Sequence, residues 1–182
     1  MTDVRKYARI RSAILFLALF LALGTPFYGT DALAQSEIEM DRGSLRNLRP
    51  LYVSVYVEGN AGLTDLPGLD VSALHSAVDS TLTARGIPID RGEPARVLDR
   101  EPYISVHINA MDMGEGLTPF AIEVQIIQGV IVANVPNELI HAATWDTGLV
   151  GLVSRDKVDS IKWAMVELVE EFAEDYFSVN PM

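Results

Sequence analysis

The 182-residue chain contains no cysteine. It therefore forms no disulfide, holds no metal through a thiolate, has no cysteine nucleophile and carries no lipid on a cysteine. Basic residues are also few: 14 lysines and arginines stand against 25 aspartates and glutamates, a net charge of −11. A surface of that sign repels phosphate backbones and anionic headgroups, so we expect neither nucleic acid nor a lipid surface as a partner.

Recognisable catalytic motifs are missing as well. No serine occupies the glycine-flanked turn of a G-x-S-x-G nucleophile elbow. The glycine-containing stretch 113–116 includes Glu115 and no lysine, so it would repel a phosphate group. We therefore expect a protein that is not an enzyme and uses no cofactor.

The amino terminus has the pattern of a secretory signal peptide. Four basic residues precede an unbroken apolar run, residues 13–23, which is too short for a bilayer because a spanning helix needs about 20 residues. Alanines at 32 and 34 fit a cleavage site before Gln35. We predict a cleaved signal peptide over 1–34 and a periplasmic or secreted mature protein without a stable membrane anchor. An uncleaved amino-terminal anchor is the alternative.

The remaining 148 residues have the usual size of one domain. The leader takes four of the 14 basic residues and two of the 25 acidic ones, so the mature chain carries 10 against 23, a net charge of −13. Residues 35–50 are polar and show no sustained periodicity, which predicts a flexible lead-in, with or without a short helix. A single domain is predicted over 51–182.

Four strands and two helices are predicted within this domain. Residues 51–58, 103–111 and 120–133 alternate between aliphatic and polar side chains, as half-buried strands do, and a further strand is predicted over about 138–145. Gly129 suggests a bulge or bend. A first helix is predicted from its N-cap, Asp70, to the stop at Gly86, and a second from about Arg155 to Phe177. A short extended piece near 96–98 is a further expectation.

The order β-α-β-β-β-α predicts an α+β fold, in which two helices cover one face of a four- to five-stranded, mainly antiparallel sheet. Three consecutive strands with short connections form an antiparallel meander. The core is expected where the aliphatic strand faces meet the apolar stripes of the helices. Nine strand residues are expected there: Val53, Val55, Val57, Ile104, Val106, Ile108, Ile122, Val124 and Ile126.

The opposite sheet face is predicted to be open and to mix tyrosine, amide and imidazole groups, which is typical of a recognition surface. In the last strand, alternation alone does not decide whether His141, Ala143 and Trp145, or Ile140, Ala142 and Thr144, share this face. An ordinary solvated face is the alternative. The residues predicted to form a protein-binding face are Tyr52, Tyr56, Ser105, His107, Asn109, Glu123, Gln125 and Trp145.

Two of these assignments have competing interpretations. His107 and His141 with Glu123 would form a two-histidine, one-carboxylate metal set only if all three met across the sheet, and we predict no metal site. Trp145, in the segment 144–148, is either a docking edge or a core side chain whose neighbour Asp146 caps a turn. The structural interpretation is favoured for that segment.

The carboxyl-terminal pattern ELVEEFxxDYxxxNP over residues 167–181, preceded by Thr144-Trp145-Asp146-x-Gly148, resembles small secreted bacterial proteins of no assigned activity. The order of elements also resembles the amino-terminal domain of the translocation protein TolB and envelope-assembly lipoproteins. Those proteins are adaptors, so the resemblance implies a non-catalytic accessory role. The chain departs from the lipoproteins because it has no cysteine to lipidate.

These observations lead to one principal expectation and two alternatives. We expect a non-catalytic periplasmic accessory or adaptor protein that binds another envelope protein through its open sheet face. A soluble periplasmic carrier of an apolar or cationic small molecule, held between sheet and helices, is the first alternative. An uncatalogued hydrolase is the second.

Overall fold

The computed structural model describes residues 39, 41–48, 50–60, 67–92, 102–113, 115–135 and 138–181. The predicted signal peptide, 1–34, and the extended piece expected at 96–98 lie outside the described residues. The principal elements are β1 (Tyr52–Gly59), α1 (Val71–Arg85), β2 (Tyr103–Ala110), β3 (Leu117–Ile131), β4 (Leu139–Ser154) and α2 (Ser160–Val179). Short 3-10 turns, Pro67–Leu69 and Arg155–Lys157, precede the two helices.

The four strands form one mixed sheet in the order β1-β2-β3-β4. β1 is parallel to β2, and a parallel pair needs a crossover connection, which contains α1. β2, β3 and β4 form an antiparallel meander. The predicted two-layer α+β sandwich is confirmed.

Local sequence signals define both ends of α1. The Asp70 side chain accepts a hydrogen bond of 2.7 Å from the Ala73 amide, as an N-cap does. Gly86 ends the helix in the left-handed conformation, with φ of 82°, and the Ile87 amide donates back to the Leu82 carbonyl at 3.0 Å. The chain thus leaves α1 in a fixed direction.

The core lies between one face of the sheet and both helices. Eight of the nine predicted strand residues are buried, and Val57 is partly buried. The helices contribute Leu74, Val78 and Leu82 from α1 and Ile161, Met165, Leu168 and Phe172 from α2, all buried. The burial pattern confirms the predicted inner face of β1, β2 and β3.

β4 differs from its prediction in length and in register. It continues nine residues beyond Trp145, to Ser154. The ladder with β3 pairs Ile126 with Trp145 but Ile127 with Ala143, so Thr144 is an extra residue on β4. Such a bulge reverses the alternation of side chains beyond it. β3 itself continues through Gly129, where a bulge or bend had been expected.

The prediction that Trp145 lies on the open sheet face is therefore wrong. Its side chain is 3 % exposed and belongs to the core. The ring meets Phe172 of α2 edge to face at 5.2 Å, and its Nε1 donates to Asp175 at 3.1 Å. The bulge turns Trp145 inward while His141 and Ala143, before it, share the open face with Gly129 and Ile127.

Residues 41–48, part of the expected flexible lead-in, pack against the domain. Leu45 is fully buried in the core. Arg42 pairs with Asp175 at 2.6 Å, and the Asn180 side chain donates to the Leu45 carbonyl at 2.8 Å. The compact unit therefore begins at Glu39 and not at residue 51.

Candidate functional site

The open face of the sheet is built from rows of side chains that cross the strands. One row brings Tyr56, His107 and Glu123 side by side, because these residues are direct partners in the two ladders. The next row consists of Ser54, Ser105, Gln125 and Asp146. A third consists of Tyr52, Tyr103, Ile127 and Ala143, and a fourth of Glu58, Asn109, Ala121 and Val150.

Seven of the eight predicted face residues thus lie on one surface. Tyr56 is 54 % exposed, and Asn109 and Glu123 are also exposed. Tyr52, Ser105, His107 and Gln125 are half-buried between their neighbours. Trp145, the eighth, is in the core, and Asp146 is the residue of β4 that reaches the open face at this level.

His107 stands at the centre of this surface. Its Nε2 atom is enclosed, makes no hydrogen bond to any described residue, and lies 3.5 Å from Glu58 Oε2. Glu123 lies on its other side in the ladder and accepts a hydrogen bond of 3.0 Å from Gln125 Nε2. The imidazole thus lies between the Glu58 and Glu123 side chains.

The charge on this surface has one sign. The four strands contain no lysine or arginine, and their acidic residues are Glu58, Glu123 and Asp146. All three lie on the open face, beside Tyr52, Tyr56 and Tyr103. Carboxylates attract cations, and tyrosine rings bind guanidinium and ammonium groups through cation–π contacts.

Sequence reasoning missed part of this surface. Because β4 was expected to end at Trp145, the exposed Val150 and Leu152 were not assigned to the sheet. They are 84 % and 59 % exposed and continue the open face towards its edge. No alternation of apolar and polar residues marks 146–154 in the sequence, because Gly148 and Gly151 interrupt it, so no sequence signal identified these two residues.

The histidines do not assemble into one site. His107 pairs with Glu123, whereas His141 lies opposite Gly129, six residues farther along β3. His75 faces the β1 edge, where its Nε2 lies 3.2 Å from the Val53 carbonyl oxygen. Within the described part of the chain, no three histidine or acidic side chains lie close enough together to hold a metal ion.

A separate cleft of about 470 Å³ lies beside β1 and α1. His75, Asp79 and Asp90 line it, and Arg91 bonds to Asp79 at 2.9 Å. Its volume falls in the range of small-molecule sites.

Among the described residues, no helix has both the length and the apolar character needed to cross a membrane.

No family model matches the chain. No curated protein shows significant sequence similarity to it. Solved structures with a similar arrangement include a PelC dodecamer from Paraburkholderia phytofirmans, which is 15% identical with a TM-score of 0.41 over 72% of this chain and 91% of that one. The hypothetical protein CT253 from Chlamydia trachomatis is 11% identical with a TM-score of 0.38 over 72% and 98%.

A minor lipoprotein from Acinetobacter baumannii is 10% identical, with a TM-score of 0.27 over 70% of this chain and 87% of that one. Likenesses this remote carry no information about activity, partners or assembly.

Proposed function

We propose that this protein is a non-catalytic accessory protein of the bacterial envelope, and that it binds another envelope protein through its open sheet face. The observation that carries the proposal is the composition of that face. Its charged side chains are carboxylates, its aromatic side chains are tyrosines, and none of the four strands supplies a basic residue.

This composition also indicates the chemistry of the partner. Three carboxylates beside three tyrosines suit a segment that presents arginine or lysine side chains. A flat sheet face suits a protein better than a small molecule, which binds in a concave site. The predicted signal peptide supplies the envelope location. The partner is therefore an envelope protein with a basic docking segment.

Site-specific photo-crosslinking in the native envelope tests this proposal. A photoreactive amino acid replaces His107 on the open face, and a control probe replaces the exposed Glu174 on α2. We expect a discrete protein adduct from position 107 and none from position 174. No adduct at either position, with the protein folded and abundant, contradicts the proposal, and an adduct only at position 174 shows that another face binds.

Neutralising variants test the charge argument separately. Glu58→Gln with Glu123→Gln removes two carboxylates from the open face, and Glu167→Gln with Glu174→Gln removes two exposed ones from α2. The first pair should reduce the His107 adduct at least tenfold, and the second pair should leave it unchanged. Equal adduct yields in both backgrounds would exclude a basic docking segment.

The cleft beside α1 favours a second candidate, a carrier of a cationic small molecule. Asp79 and Asp90 give it negative charge, although Arg91 offsets part of it. Native mass spectra of the purified protein distinguish the two functions. A retained ligand that is lost on Asp90→Asn would favour the carrier, whereas an empty protein that still crosslinks at position 107 favours the accessory protein.

A further inference from the structure

β4 leaves a long edge of the sheet uncovered in the described structure. It is the last strand in the sheet order, and no described strand pairs with its outer side. At one end, the Ser44 hydroxyl donates to the Thr144 carbonyl at 2.8 Å, so the segment 41–48 occupies that part. Ten regular residues, 145–154, remain beyond the bulge.

Beyond the bulge at Thr144, this edge lacks most of the features that keep sheets from pairing with each other. Proteins protect edge strands with lysine, proline, bulges or short length. β4 has 16 residues, no proline and no lysine, and Asp146 is its single charged side chain. Val150 is 84 % exposed and Leu152 59 %, the highest values among the large apolar residues of this strand.

We propose that this edge pairs with the same edge of a second copy, antiparallel and centred on Val150, so that two sheets join into one of eight strands. An antiparallel pair related by a twofold axis places residue 150 opposite residue 150 of the partner copy. A residue that follows 150 by a given number of positions then lies opposite the residue that precedes 150 by the same number. Antiparallel strands exchange backbone hydrogen bonds along their whole length, which satisfies the outward amide and carbonyl groups of both copies.

The side chains fit this register. On the open face, Leu152 lies opposite the partner copy's glycine at 148, whose missing side chain leaves room for it. On the helix side, Leu149 lies opposite the glycine at 151. The ring of Phe120 already lies against Gly151, only 2.5 Å from where a Cβ would be, so the incoming leucine meets an aromatic surface.

Charge does not oppose this register. Both copies are acidic, yet Asp146 lies opposite Ser154, and the two Asp146 side chains are eight residues apart along the strand direction. At about 3.4 Å per residue this separation is roughly 27 Å, well beyond the screening length of about 8 Å at physiological salt. Centring the pair on Leu149 instead would place Asp146 opposite Leu152.

The first test measures the mass of the purified protein by light scattering over a wide concentration range. We expect a dimer, and we expect Val150→Lys to be monomeric because it buries two ammonium groups opposite each other. Ile131→Lys is the matched control, since Ile131 is 67 % exposed on the same hairpin but far from residue 150. It should remain a dimer, and circular dichroism should show that both variants are folded.

The absence of cysteine allows a second test that does not introduce charge. With a short thiol-to-thiol crosslinker Val150→Cys should give a covalent dimer, because directly opposite Cβ atoms in an antiparallel pair are about 4.5 to 5.5 Å apart. Leu152→Cys should crosslink at least tenfold less, since its opposite residue is 148, and Ile131→Cys should match that background. A monomer at every concentration, or equal crosslinking of all three, overturns the proposal.

These results are independent of the proposed partner. The crosslinking probe at His107 reports on the centre of the open face, and the Val150 variants report on its edge. A dimer can exist without an envelope partner, and a partner adduct can form on a monomer.

Discussion

Trp145 connects three parts of the molecule through one side chain. It packs on Phe172, and its indole nitrogen donates to Asp175, whose carboxylate also accepts from Arg42 at 2.6 Å. β4, α2 and the segment 41–48 therefore meet at the Asp175 carboxylate. Trp145 is buried because of the bulge at Thr144. The alternation of apolar and polar residues along the sequence does not reveal such a bulge.

Replacement of Trp145 by phenylalanine should lower the free energy of unfolding by about 2 to 3 kcal/mol. The change removes a hydrogen bond to a carboxylate, worth about 1.5 to 3 kcal/mol, and part of a buried ring. Urea unfolding followed by circular dichroism measures it. Trp163→Phe is the control, because Trp163 is 67 % exposed, and should change stability by less than about 0.5 kcal/mol. Equal effects would contradict the burial of Trp145.

Thr118 is fully buried on the helix side of β3, and its hydroxyl has no hydrogen-bond partner among the described residues. Thr118→Val should therefore raise the free energy of unfolding by about 1 kcal/mol, since a buried hydroxyl without a partner carries a desolvation cost. Thermal unfolding measures the change.

Thr147→Val is the matched control for that substitution. The Thr147 hydroxyl donates to Glu171 at 3.1 Å, so this variant loses a bond and should not be stabilised. A loss of stability in Thr118→Val would mean that its hydroxyl is hydrogen-bonded.

At the scale of elements, α1 could be predicted almost to the residue. Its signals are local: an acceptor at the N-cap, a stripe at three- and four-residue spacing, and a glycine after the last turn. β4 could not, because its inward side chains include Gly151 and Thr147, so the aliphatic alternation that identified β1 to β3 is interrupted. The side of Trp145 was wrong for another reason, because the bulge at Thr144 reverses the alternation just before it.

The cap of α1 gives a prediction at this scale. Asp70→Ala should lower the free energy of unfolding by about 1 kcal/mol, because the Ala73 amide then loses its acceptor. Asp70→Asn, which keeps an acceptor at the N-cap, should stay within a few tenths of the parent value. Chemical denaturation of both variants provides the measurement, and equal losses would show that charge, rather than capping, supports the helix.

Across the whole molecule, the two layers and the inner sheet face could be predicted from the sequence. Residues that face the core recur at regular intervals along a strand or helix, and the sequence shows that periodicity directly. The open face followed from the inner face, and seven of its eight predicted residues lie there. The order of strands did not follow from periodicity. β1 joins β2 in parallel across a connection of more than 40 residues, and only the folded structure shows this pairing.

The place of α2 after all four strands in the sequence has a consequence for the order of folding. The helix supplies Ile161, Met165, Leu168 and Phe172 to the centre of the core, and Asn180 binds the segment 41–48. A chain made amino end first has all four strands before the helix that covers much of their aliphatic face. We therefore expect the core to close only once α2 has been made, and a chain cut short before Ser160 to aggregate through the part of the sheet that α1 leaves uncovered.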